Sequence, residues 1–279
     1  MNFRHVLWSL VTAGLATLAQ AQPARFPERP ITMVVPFGPG GTTDIMARIL
    51  ADEFSRQLGG SVVVVNTAGA GGAIGMAQVA RARPDGYTLS MTTIGPLVIQ
   101  PSRRDNTGYQ PDGFDYICGT YDVPLLTLVP EQSPYKNYAA LVSAAKQASG
   151  RFNYGSSGVG TALHISALEQ WQHHGVQALH VPYKSMTAVF TEMLGNQIDA
   201  TLASFISVEP LAASGKLKML GIARSARLPE YPKVPTLSES VPGFTSGGWF
   251  GMIAPAGTPK EIIQLLNREV NLALALPDV

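Results

Sequence analysis

The sequence predicts an α/β protein of two lobes around a cleft, each lobe a mostly parallel sheet flanked by helices. Three observations carry this prediction. Short β-branched runs alternate with longer amphipathic stretches, the pattern of parallel strand–helix–strand units. The alternation closes near Met91 and restarts at Leu125. The Pro-rich segment Leu228–Pro235 then excludes regular structure, and a further strand and helix follow it, as expected of a chain returning to its first lobe. At 279 residues the chain can bury one large core or two smaller ones.

Residues 1–21 read as a targeting segment. Arg4 is basic, Val6 to Leu18 are apolar, and Ala19-Gln20-Ala21 supplies a small-x-small cleavage site. The apolar stretch is shorter than the roughly 20 residues that cross a bilayer core, so cleavage after Ala21 and export are expected. The remaining division is lobe one over 22–122, lobe two over 123–225 and a return into lobe one over 226–279. Ile31 to Val35 is a continuous apolar run, as in a strand buried on both faces, and helical spacing follows from Asp44 to about Leu58. Val62 to Val65 is predicted as a second buried strand, Gly69–Gly72 as a turn, and a short helix follows to about Ala82. Asp85-Gly86 signals a turn before a strand at Tyr87–Met91.

In the second half, strands are predicted at Leu125–Val129, Arg151–Tyr154, Ala178–Val181, Ala200–Leu202, Leu217–Ala223 and Trp249–Ala254. Helices are predicted at Tyr138–Ala148, Thr161–His173 and Pro259–Leu274, the last with proline at its start.

Charge and cysteine content narrow the function. Without Arg4 the chain has 19 basic and 19 acidic residues, a balance that argues against a nucleic-acid surface or a polybasic membrane patch. Cys118 is the only cysteine, which excludes an intrachain disulfide. With no second Cys and no His pair at helical spacing, no metal site is predicted, and no cofactor is expected. Gly69-Ala70-Gly71-Gly72-Ala73-Ile74 places isoleucine where a dinucleotide fingerprint needs its last glycine, and no glycine turn ends in Gly-Lys-Ser/Thr.

Two loops are suited to holding an anion. Phe37-Gly38-Pro39-Gly40-Gly41-Thr42-Thr43-Asp44 joins a strand to a helix, and its glycines allow close backbone approach. Thr42 or Thr43 is a candidate N-cap, and the free N–H groups of the first helical turn favour negative charge. Asp44 would repel a carboxylate if it faced one, so it is read as structural. Tyr154-Gly155-Ser156-Ser157-Gly158-Val159-Gly160-Thr161 repeats the arrangement in the other lobe. Ligands of open α/β sheets sit beyond the carboxyl ends of the strands, where both loops lie. His164, one turn beyond Thr161, is read as lining the cleft or the core. A serine hydrolase using Ser156 or Ser157 is the enzymatic alternative, although no G-x-S-x-G register fits.

Taken together, Phe26-Pro27-Glu28-Arg29-Pro30, Val34-Val35-Pro36-Phe37, Ala68-Gly69-Ala70-Gly71-Gly72, Pro84-Asp85-Gly86-Tyr87, His180-Val181-Pro182-Tyr183-Lys184, Val234-Pro235-Thr236 and Ala254-Pro255-Ala256-Gly257-Thr258-Pro259 carry a family resemblance. The chain resembles the Bug-type substrate-binding receptors of tripartite tricarboxylate transporters. The resemblance implies a periplasmic-binding-protein type II fold and a monomeric, non-enzymatic receptor in the periplasm. Such a receptor would capture a small carboxylate and deliver it to membrane permease subunits; an exported sensing domain would use the same clamp. It also implies ligand contacts at Phe37, Gly40, Gly41, Thr42, Ser156, Ser157, Gly158 and Thr161, and Thr93 and His164 are further candidate ligand-binding residues. Two departures stand out. Gly38 replaces the proline or other small residue common in the family, and Ser185-Met186-Thr187-Ala188 replaces the usual Gly-x-Gly-Pro. Relatives usually continue by a helix and a strand past Pro277, so truncation at the C-terminus is expected.

Overall fold

The computed structural model describes residues 26–103, 106–148, 150–277 and 279. The targeting segment and its cleavage site after Ala21 lie outside the described residues. Strand β1 (Ile31–Val35) sits between two apolar layers, because successive side chains of a strand point to opposite faces. Ile31, Met33 and Val35 face one cluster and Val34 the other. Helix α1 (Thr42–Leu58) covers the first layer with Ala47, Leu50 and Phe54, and ends at Gly59 in the left-handed conformation. Strand β2 (Val62–Asn66) follows, and helix α2 (Ala73–Ala80) covers the second layer with Met76 and Val79.

β2 corrects one expectation. It pairs only with β1 at the edge of the sheet, and only one of its faces is packed: Val62 and Val64 meet the core, while Val63 and Val65 on the other face are exposed, Val63 by 47%. An all-valine run does not by itself reveal that one side has no neighbour.

Strand β3 (Thr88–Thr93) lies parallel to β1 on its other side. A π-helical turn over Gly95–Ile99 and the short α3 (Gln100–Arg103) lead to β4 (Phe114–Pro130), a strand of 17 residues. The sequence pattern announces only its apolar end, since Asp115, Gly119 and Asp122 break the run before it. The second half supplies α4 (Tyr138–Gln147), β5 (Asn153–Ser156), α5 (Ala162–His173), β6 (Leu179–Pro182), α6 (Met186–Leu194), β7 (Ala200–Ser204), α7 (Phe205–Ala213) and β8 (Leu217–Ile222). The chain closes with β9 (Gly247–Pro255) and α8 (Lys260–Leu274).

The sheet is mixed. β1 pairs in parallel with β2 and β3, and β5 with β6 and β7. Its centre is antiparallel because β9, returning from the second half, inserts between β3 and β4. β4 belongs to both halves: Phe114 to Pro124 pair with β9, while Leu125 to Pro130 pair with β7 and β8. In the second half, Leu125 and Val129 face a core with α4 and α5, and Leu126 and Leu128 face one with α6. Leu237, Val241 and Phe244 also join the core of α4 and α5, although they fall in the segment assigned from sequence to the return.

Phe54 is fully buried on α1 between β1 and α8. Phe54→Ala is expected to lower unfolding stability by about 3–5 kcal/mol, read as a fall in the urea midpoint with little change in slope.

Candidate functional site

Four strand-to-helix junctions converge where the two halves face each other. They enclose a cavity of about 60 Å³. From the first half come Phe37, Gly41, Thr42 and Thr43 at the start of α1, Thr93 at the end of β3, and Gly248 and Phe250 on β9. The second half contributes Ser157, Thr161 and Leu163 at the start of α5, Met186 on α6, and Ser204 and Ser207 at the start of α7. Among the described residues, no charged side chain and no histidine lines it. An open recess of about 560 Å³ shares Phe37 and Ser157 with the cavity and adds Gly69–Gly72, Gly158, Tyr183 and Lys184.

The first loop is set by Asp44. Its carboxylate is buried and accepts from the Gly40 N–H at 2.9 Å, from Arg48 at 2.9 and 3.0 Å, and from Asn66 at 2.8 Å. Burial pushes its pKa up, but the bonds from Arg48, Gly40 and Asn66 together outweigh that and hold it below the usual carboxylate range. Asn66 also donates to the Phe37 carbonyl at 3.0 Å, tying the turn to β2. The N-cap is Gly41, without a side-chain cap; neither Thr42 nor Thr43 takes that position. Both threonines lie inside the first turn and line the cavity.

The second loop is held from behind by two histidines. Thr161 caps α5 by accepting from the His164 N–H at 3.3 Å, and its own hydroxyl donates to the Gly158 carbonyl at 2.9 Å. Gly158 and Gly160 have φ of 130° and 77°, which side chains rarely adopt. The Gly160 N–H donates to His164 Nδ1 at 3.1 Å, so that nitrogen carries no proton. The His164 ring lies 4.0 Å from that of His180, whose Nε2 is 2.6 Å from Ser156 Oγ. Burial, and then the His164 charge, push the His180 pKa down to about 4.

These contacts sort the residues expected at the site. Phe37, Gly41, Thr42, Thr93, Ser157 and Thr161 line the inner cavity, and Gly158 lines the outer recess. Gly40, Ser156 and His164 line neither. The Gly40 N–H is taken by Asp44, Ser156 is fully buried against His180, and His164 supports the loop from beneath. Ser204 and Ser207 were not foreseen, although they follow a predicted strand just as Thr42 follows β1. Pro210 inside α7 masks the helical pattern that marks such a junction.

Direct bonds close the cleft. The Gly38 N–H donates to the Lys184 carbonyl at 3.1 Å, Thr187 Oγ1 to the Pro39 carbonyl at 2.9 Å, and Gln100 to the Val159 carbonyl at 2.6 Å. The Thr42 and Ser204 hydroxyls are also in contact. Ser185 caps α6 by accepting from the Ala188 N–H at 3.2 Å. A Cβ at residue 38 would lie 2.8 Å from Ser185 Cβ, so glycine at 38 makes room for serine at 185.

The comparisons with known proteins agree with this arrangement. Residues 46–279 match the family described as tripartite tricarboxylate transporter family receptor. The chain belongs to that family. It is 35% identical to BugT of Bordetella pertussis over 268 residues, 95% of this chain and 82% of BugT. The structure of the periplasmic binding protein BugD superposes with a TM-score of 0.87 at 37% identity, covering 91% of this chain and 85% of BugD. MatC from Rhodopseudomonas palustris with bound malate gives 0.86 at 33%, covering 91% and 87%. This family member thus shares the α/β fold of periplasmic binding proteins. Among the described residues no helix is long and apolar enough to cross a membrane.

The histidine pair gives a pH dependence. Folding holds His180 neutral, so its contribution to stability is complete above the free-histidine value of 6.5 and is lost as pH falls toward about 4. The melting temperature is expected to drop across that window. His180→Gln, which does not titrate there, is expected to flatten the drop in thermal melts taken at both ends.

Proposed function

We propose that this chain is a periplasmic solute-binding receptor that holds a small carboxylate between two lobes and presents it to membrane permease subunits. One observation carries the reading. Helix starts from both halves of the sheet, rich in hydroxyls and free backbone N–H groups, border one cavity, and among the described residues no acidic side chain lies in its wall. Family membership and malate bound to the related MatC support it.

In this reading the lobes divide at the middle of β4 and at the start of β9. Residues 26–124 and 247–279 form one body and 125–246 the other, a division that follows the packing of Leu237 and Phe244. The two strands are the hinge, and closure brings Thr42 against Ser204 and Thr187 against Pro39. The leader over residues 1–21 directs export and is removed after Ala21.

The hydrolase reading has one contact in its favour, the Ser156–His180 bond. Ser156 is fully buried, lines neither space, and already bonds Gly158; around His180 stand the Tyr154 and His164 rings. A nucleophile needs access and an oriented base, and this serine lacks access.

Ser157 tests the binding reading, since its side chain lines both spaces and makes no hydrogen bond to the described residues. Ser157→Ala is expected to weaken carboxylate binding by roughly 1 kcal/mol, about fivefold by calorimetry, with little change in the melting temperature of the free protein. Unchanged affinity for every carboxylate that binds the unmodified chain would remove Ser157 from the site.

A further inference from the structure

The geometry points to Gln100 as a positioning residue that holds the ligand loop of the second half against the first half in the closed form, and so slows ligand release. The inference rests on the carboxylate-receptor reading and adds a residue that lines neither the cavity nor the recess.

Gln100 opens α3 directly after the π-helical turn, and its own N–H donates to the Gly95 carbonyl, five residues back. Turns of this kind are rare and occur frequently at functional sites. The side chain is fully buried. Its Nε2 donates at 2.6 Å to the Val159 carbonyl, in the loop whose Ser157 and Gly158 line the cavity and the recess. Glycines make room for this amide on both sides of the seam. A Cβ at Gly71 would collide with Nε2 and lie 2.5 Å from the Val159 carbonyl, and one at Gly160 would lie 2.6 Å from Nε2. These two glycines have φ of 64° and 77°, in the left-handed region. First-half backbone at Gly71 and second-half backbone at Gly160 thus both bear on one side chain. Arg103, one turn further along α3, also lies against Gly160, where a Cβ would collide with its guanidinium.

Stability does not account for a glutamine at this place. Gln100 Oε1 is buried and has no hydrogen-bond partner among the described residues. A buried amide left partly unsatisfied is less favourable than an apolar side chain of similar size. What the amide gains is the bond to Val159, which runs across the seam and exists only while the halves are together. Such a bond favours the closed form, and its loss is read mainly in the rate at which bound ligand leaves. It also fixes the Val159 peptide, and with it the direction in which Ser157 and Gly158 face the ligand.

Gln100→Met, close in volume but without a donor, tests this with whichever of malate, adipate and benzoate binds the unmodified chain. The melting temperature of the free variant is expected to match or exceed that of the parent. Affinity by calorimetry is expected to fall about five- to tenfold, and release, followed by tryptophan fluorescence after rapid mixing, to speed up by a similar factor. Gln100→Glu, which sets an acceptor against the Val159 carbonyl, is expected to lose at least as much affinity. Parent-like affinity and release in Gln100→Met would overturn the inference and leave the carboxylate-receptor reading standing. So would a melting temperature of that variant lowered in step with its affinity, since this marks a packing role. Binding of none of the three acids by the unmodified chain would overturn the receptor reading and this inference with it.

Discussion

The candidate site depends on one constraint: the Asp44 carboxylate, which belongs to the protein, must sit beside the cavity in which the proposed function places a ligand carboxylate. Asp44 opens α1, where an acidic residue favours the helix, yet its charge facing the cavity would repel the ligand. The conflict is resolved by geometry. Arg48, one turn further along α1, and Asn66 at the end of β2 approach Asp44 from one side, and the Gly40 N–H from another. These bonds satisfy the buried charge, curl the turn through the left-handed Gly40, and leave the Gly41–Thr43 segment as the face presented to the cavity. The second half solves the same geometric problem without a charge, using Thr161 as the cap and neutral His164 as the acceptor behind the loop.

Much of this was legible in the sequence. The continuous apolar run before Pro36 marks β1, and the glycines after it mark the turn that opens α1. Asp44 as a structural group follows from the sign of its charge alone. What stayed hidden depended on partners far along the chain. β2 looks buried until its missing neighbour is known. The first part of β4 carries too many polar residues to show a strand pattern, because β9 covers it over a stretch with bulges near Cys118 and Gly119. Ser204 and Ser207 are obscured by Pro210, which lies inside α7 and interrupts the helical signal. Gly40, Ser156 and His164 show the limit of reading a loop as a unit. Within a turn, some groups face the cavity and others the supporting scaffold, and only contacts distinguish them.

The cavity wall sets a boundary on specificity. Recognition by hydroxyls and backbone N–H groups is directional, since each donor satisfies a lone pair at a fixed place, whereas a lysine or arginine would attract anions of many shapes. A neutral wall also avoids leaving an unpaired buried cation when the ligand departs. The apolar residues between the helix starts then discriminate among ligands by the shape of what is attached to the carboxylate.

The contact between Gly38 and Ser185 joins two loops that are 147 positions apart in the chain and lie on opposite sides of the cleft. Its consequence is a coupling between the two loops. A Cβ at 38 would force one loop to shift against the other, so the residue tolerated at either position depends on the residue at the other.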